Sequence, residues 1–162
     1  MEKELSVGDV APNITMPSTD RMSFDLYEEL NNGPILLNFY IGDFGINCTN
    51  YMGKMIESAD RFTDLGVRFV GINPDSMESH LLWKQRLGSG FEYVHDEKQT
   101  ASKEYGAIVD TESMVKGFTN REFFLIGGDR RIRYIWRAPS PKVLPDVDEI
   151  IGGVADGLKI RF

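Results

Sequence analysis

Pro34-Ile35-Leu36-Leu37-Asn38-Phe39-Tyr40-Ile41, then Gly42-Asp43-Phe44-Gly45-Ile46-Asn47, then Cys48: this succession decides how the chain is read. The first eight residues form a short, nearly continuous apolar run, the pattern of a strand buried on both faces. The next six carry two glycines and an aspartate and read as a loop. From Cys48 onward Met52, Met55, Ile56, Ala59 and Phe62 recur at helical spacing, so a helix is expected to open at Cys48. A sulfur placed there faces unpaired backbone N–H groups and the positive end of the helix dipole, which favour the thiolate. The thiolate is the nucleophilic form, so Cys48 is the candidate reactive residue. The same position also suits an inert buried cysteine.

The frame around that stretch is ordinary. A chain of 162 residues with 41% hydrophobic content can build a core of its own, and a single domain over 1–162 is expected. There is no basic-then-apolar start and no apolar run of membrane-spanning length, so a soluble, cytoplasmic protein with no membrane partner is expected. Cys48 is the only cysteine, which excludes an internal disulfide, a CxxC pair and a second, resolving cysteine within the chain. His80 and His95 form no ligand cluster with it, and no phosphate-binding glycine pattern is present, so neither a metal nor a bound cofactor is expected. A net charge of −7 argues against nucleic acid as a partner. Arg130, Arg131, Arg133 and Arg137 make one local basic segment, read as a solvated strand face.

Along the chain the elements alternate as in a mixed sheet with helices on both faces. An extended start leads to a turn at Asp20-Arg21 and a short helix from Phe24 to Leu30. A second strand, Val67 to Ile72, precedes a helix capped by Ser76 and stopped by Gly88. Phe91 to Val94 reads as a third strand and Lys98 to Tyr105 as a short helix. Ala107 to Asn120 carries no clear pattern. Glu122 to Ile126 and Ile132 to Trp136 form a hairpin across Gly127-Gly128-Asp129-Arg130. A last helix spans Val147 to Leu158.

Five pieces in register resemble the peroxiredoxin family, most closely its alkyl hydroperoxide reductase and bacterioferritin comigratory protein branches. They are Val7-Gly8-Asp9-Val10-Ala11-Pro12; Asn38-Phe39-Tyr40 with Asp43-Phe44 before Cys48-Thr49; Gly71-Ile72 with Asp75-Ser76 and Trp83; Tyr105-Gly106; and Arg121 before Phe123-Phe124-Leu125-Ile126. The resemblance implies an α/β, thioredoxin-like fold with a mixed central β-sheet flanked by helices. It implies a cysteine, Cys48, that attacks hydrogen peroxide or an organic hydroperoxide and becomes a sulfenic acid. An external thiol, a thioredoxin-like protein or a small thiol, then reduces it. Homodimerisation is a further implication of the family.

Departures from the family pattern limit the transfer. The pattern is Pro, three residues, Thr or Ser, two residues, Cys; here Ile41 stands for the Pro and Gly45 for the Thr or Ser. Tyr51 stands where many members carry Glu. Cys48 and Arg121 remain as the catalytic candidates, with Tyr40, Phe44, Gly45 and Asn47 as candidates for the substrate pocket. Three of them have a plainer reading: Arg121 as a cation paired with Asp43 or Glu122, Tyr40 as core, Asn47 as a helix cap. Trp83 and Trp136 read as core or interface. With one cysteine the expected function is a one-cysteine thiol peroxidase. Its alternatives are a thiol redox sensor and a non-catalytic binding protein on the same fold.

Overall fold

The computed structural model describes residues 4–162. The apolar run that opens the argument forms strand β3, Ile35–Phe39, and all five of its residues are buried. It is the middle strand of a five-stranded sheet, and everything that positions Cys48 follows from its neighbours. On one side β3 pairs in parallel with β4, Arg68–Asn73, which pairs in parallel with β5, Glu92–His95. On the other side it pairs antiparallel with β6, Glu122–Ile126, and β6 forms the expected hairpin with β7, Ile132–Arg137. The turn closes with Arg130 in the left-handed region at φ 66°. A separate two-stranded ribbon joins β1, Thr15–Met16, to β2, Phe24–Asp25.

Alternation along the strands sends side chains to two cores. Leu36, Phe69, Phe123 and Leu125 pack with residues of α2 (Ile46–Glu57), α3 (Ala59–Asp64), α4 (Met77–Leu87) and α6 (Val147–Leu158). Ile35, Leu37, Phe39, Val70, Phe124 and Ile126 pack with the N-terminal segment, α1 (Leu26–Glu29) and α5 (Thr100–Glu104). The mixed sheet flanked by helices is thus the architecture observed. Among the described residues no helix is long and apolar enough to cross a membrane.

Several boundaries move from the sequence reading. The Cys48 helix opens two residues earlier, with Gly45 as N-cap, and a break at Ser58 divides it from α3. The helix expected over Phe24 to Leu30 is instead strand β2, the single turn α1 and a 3-10 turn, Leu30–Asn32. Asp25 starts that turn by accepting from the Glu28 N–H at 3.2 Å. The helix over Lys98 to Tyr105 shrinks to α5, and the unpatterned segment holds one bridge, Ile108 to Thr119. Ser76 and Gly88 cap α4 as expected. The basic segment is not merely solvated: Arg131 donates to the Gly8 carbonyl, Arg133 to that of Ile160 and Arg137 to that of Leu5.

Gly71 is required by close packing, because a Cβ there would lie 2.6 Å from Tyr93 Cδ1 and 3.2 Å from Tyr40 Cε1. Gly71→Ala is expected to lower stability by roughly 1–3 kcal/mol through overpacking, read as a drop in the denaturation midpoint.

Glu122 is buried, with Oε2 accepting from Asn120 Nδ2 at 3.0 Å and Oε1 3.2 Å from Arg137 Nε. Burial pushes its carboxyl from 4.5 up to about 7, against the pull of Asn120 and Arg137. The folded protein therefore keeps this proton at a pH where the unfolded chain has lost it. Its contribution to stability is full below pH 4.5 and is lost as the pH rises through about 7. That loss amounts to roughly 3 kcal/mol. Glu122→Gln should flatten the decline, so urea unfolding at pH 5 and pH 8 should differ less in the variant. An unchanged difference would contradict the burial argument.

Candidate active site

Cys48 is the third residue of α2 and is 2% exposed. Its backbone N–H belongs to the first turn, whose donors have no intrahelical partner. Gly45 supplies the first helical acceptor, its carbonyl receiving the Thr49 N–H at 2.8 Å, but offers no side-chain cap. Asn47 is the second helical residue, so the capping role read for it is corrected: the residue before the helix is Gly45.

Arg121 arrives from elsewhere in the chain. Because β6 runs antiparallel to β3 with Phe39 opposite Glu122, the residue before β6 lies at the end of β3 from which the Cys48 loop departs. Cys48, Arg121, Gly45 and Asn47 line one cleft of about 310 Å³, walled by Ile41, Ile46, Val115 and Pro141. Arg121 is 3% exposed, donates through Nη1 to the Pro141 carbonyl, and leaves Nε without a partner. The plain reading of this residue as one half of a surface ion pair does not hold. Asp43 is taken by His80 and Glu122 by Arg137, and no described carboxylate pairs with Arg121.

Tyr51 explains part of that freedom. Its hydroxyl donates to Asn38 Oδ1 at 3.0 Å, deep in the core. Burial pushes its phenol well above the ordinary range, the nearby Cys48 adds to this, and Arg121 opposes it. A neutral phenol therefore stands beside the cysteine and the arginine, and among the described residues no carboxylate pairs with the guanidinium. The charge is left to act on whatever anion enters the cleft.

Two other pocket candidates lie outside the cleft lining. Tyr40 is fully buried, stacks on Trp83 with ring centroids 5.3 Å apart, and donates its hydroxyl to Asp43 Oδ1 at 2.6 Å. Phe44 is 44% exposed and turns toward α4, where the Arg86 guanidinium lies 5.9 Å from its ring centroid. Trp83 is core, as read, and also reaches α2 by donating to Thr49 Oγ1 at 3.4 Å.

The sequence reading passed over a buried cluster beside the loop. Asp43 and His80 both have fully buried side chains, with Oδ2 and Nδ1 2.6 Å apart. The signal was faint: His80 falls one helical turn before Trp83, on the face that faces the core. Among the described residues no group of three or more His, Cys, Asp or Glu side chains is placed to hold a metal ion.

A family model, described as the AhpC/TSA family, matches residues 7–135. The chain belongs to the AhpC/TSA family. A protein described as a putative peroxiredoxin bcp from Coxiella burnetii is 29% identical over 150 residues, covering 91% of this chain and 97% of that one. The 1-Cys peroxiredoxin PER1 of Triticum aestivum is 27% identical over 144 residues, 84% of this chain and 66% of that protein. In fold, the chain matches a crystal structure of a cysteine-to-serine mutant of Xylella fastidiosa PrxQ with a TM-score of 0.85, at 20% identity, over 98% of this chain and 100% of that one. BcpB of Mycobacterium tuberculosis matches with a TM-score of 0.81 at 19% identity, over 98% and 100%. The thioredoxin-like fold implied by the sequence is thus the fold found. Family membership makes this AhpC/TSA protein a peroxiredoxin-type thiol peroxidase, with a peroxide as substrate and a thiol as reductant.

Proposed function

We propose that Cys48 is the peroxidatic residue of a one-cysteine cycle acting on hydrogen peroxide or organic hydroperoxides. The observation that carries this reading is one cleft lined by both Cys48 and a buried Arg121 that no described carboxylate pairs. The thiolate attacks the outer peroxide oxygen, the O–O bond breaks, and the departing oxygen leaves as water or alcohol after taking a proton. Cys48 is left as a sulfenic acid. Arg121 stabilises the thiolate before attack and the negative charge developing on the departing oxygen. An external thiol, from a thioredoxin-like protein or a small molecule, then condenses with the sulfenic acid, releasing water and forming a mixed disulfide. A second thiol frees Cys48 and leaves as the oxidised disulfide.

Gly45 and Asn47 line the cleft, and Gly45 has no hydroxyl to offer there. Missing one donor, the site is expected to work more slowly than one with the full pattern. That observation also favours the second reading, in which Cys48 serves as a redox sensor. We read the chain as one domain, acting in the cytoplasm, with homodimerisation the family expectation.

Stopped-flow oxidation of the reduced protein by hydrogen peroxide and by an organic hydroperoxide tests the proposal, with Cys48→Ser as control. Cys48-dependent oxidation well above that of free cysteine, with sustained turnover on added thiol, is expected. Oxidation no faster than that of free cysteine would retire the peroxidase reading.

A further inference from the structure

We propose that Asp43 and His80 are positioning residues for Cys48: a buried clamp that holds the loop before α2 in the shape that brings the sulfur to Arg121. The inference rests on Cys48 being the reactive residue. Asp43 Oδ2 lies 2.6 Å from His80 Nδ1 and accepts from Ser79 Oγ at 2.8 Å. Its Oδ1 accepts from the Tyr40 hydroxyl at 2.6 Å and from Asn73 Nδ2 at 3.4 Å. The Asp43 N–H in turn donates to Asp75 Oδ2 at 2.7 Å. A carboxylate offers about four acceptor sites, and here all are taken. One loop residue is thereby tied to the ends of β3 and β4 and to the first turn of α4.

The loop needs such a restraint. Phe44 sits at φ 63°, a left-handed conformation that a bulky side chain rarely adopts and that persists only where its surroundings impose it. Gly45 then starts α2 with no side-chain cap. Between the end of β3 and Cys48, the Asp43 carboxylate is the side chain that ties the loop by hydrogen bonds to β4 and α4.

His80 carries the second part of the argument. It is fully buried, yet only Nδ1 has a partner, and Nε2 has none. A buried imidazole with one nitrogen unmet is a poor packing residue, since an apolar ring in the same space would leave nothing unsatisfied. What histidine offers here is the Nδ1–H donor. Facing a carboxylate, Nδ1 donates in both the neutral and the charged ring.

Three substitutions separate clamp from packing. His80→Phe keeps a ring and removes the donor, His80→Asn keeps a donor near the Nδ1 position and removes the ring, and Asp43→Ala removes the acceptor. Each full chain is read twice: by the rate of hydrogen peroxide oxidation at Cys48, and by the rate of Cys48 alkylation with a bulky maleimide. His80→Phe and Asp43→Ala are expected to slow oxidation about 10-fold or more and to speed alkylation by a similar factor, while His80→Asn stays within about 3-fold of wild type on both. A His80→Phe protein equal to wild type, or superior to His80→Asn, would overturn the clamp. If His80→Phe fails to fold by circular dichroism, Ser79→Ala and Tyr40→Phe take its place, each deleting one hydroxyl donor. Alkylation should then rise about 3-fold, and unchanged alkylation would overturn the proposal. Should wild type prove no faster than free cysteine toward peroxide, the functional reading fails, whereas the alkylation order still judges the clamp.

Discussion

Arg121→Gln is expected to slow the oxidation of Cys48 by peroxide about 10²–10³-fold while leaving the fold intact or more stable. The rate effect follows from geometry. Arg121 lines the same cleft as Cys48, and no described carboxylate pairs with it, so in the proposed cycle its charge serves both the thiolate and the departing oxygen. The stability effect follows from the same facts. A buried charge without a counter-ion is a cost to the folded state, and a neutral amide of similar length removes it. Gln can still donate to the Pro141 carbonyl, the side-chain hydrogen bond that Arg121 makes among the described residues. Arg121→Lys keeps the charge but loses the planar fork and should fall between the two, about 10-fold below wild type. Stopped-flow oxidation and urea denaturation on the same preparations check both halves. An Arg121→Gln protein as fast as wild type would remove the arginine from the chemistry.

The second large effect is a gain. Gly45→Thr is expected to speed peroxide oxidation by about 10–10²-fold, because it restores the one hydroxyl donor that the family pattern places three residues before the cysteine. The structure shows room for it. Gly45 has φ −63° and ψ 138°, a backbone that threonine adopts without strain. A Cβ at this position would meet only the Gly42 carbonyl oxygen at 3.6 Å and Cys48 Cβ at 3.9 Å, ordinary contact distances. The new hydroxyl stands at the N-cap, where it can also accept from a first-turn N–H of α2. Its two roles compete. Thr replacing Gly as N-cap should change stability by only a few tenths of a kcal/mol, so the gain belongs in the rate constant rather than in the denaturation midpoint. Gly45→Ser should show most of the gain and Gly45→Ala none, which separates the hydroxyl from the loss of glycine flexibility. A Gly45→Thr protein no faster than wild type would mean that the cleft does not hold peroxide as drawn here.

Much of the fold was legible because the strongest local signals lie where packing agrees with them. The run through β3 reads as buried on both faces, and it is the middle strand of the sheet. Ser76 and Gly88 bound α4 because a side-chain oxygen and a left-handed glycine are local solutions to unpaired helix ends. The misreadings fall where local signals were weak or divided. Ile46 and Asn47 join α2 although the apolar periodicity starts at Cys48, since a helix can begin before its buried stripe does. The helical pattern running to Phe62 hides the break at Ser58, because α3 buries Phe62 in the same core as Met52 and Met55.

The sequence by itself determined the family, the place of the candidate cysteine just after a buried strand, and the absence from the chain of a second cysteine and of the motif hydroxyl. All of these are read from residue identities and their order along the chain, with no knowledge of which distant segments touch. Only the tertiary structure decided which distant groups lie beside that cysteine and its loop. Arg121 lines the same cleft as Cys48 because β6 pairs antiparallel with β3, so that a residue 73 positions onward returns to the end of the strand from which the Cys48 loop departs. His80 reaches Asp43 because β4 lies parallel to β3 and α4 folds back over its end, bringing into contact two residues 37 positions apart. Strand pairing is set by backbone hydrogen bonding across the sheet and by burial of both faces together. No spacing within a single segment encodes it, which is why the cysteine could be read from the chain and its clamp could not.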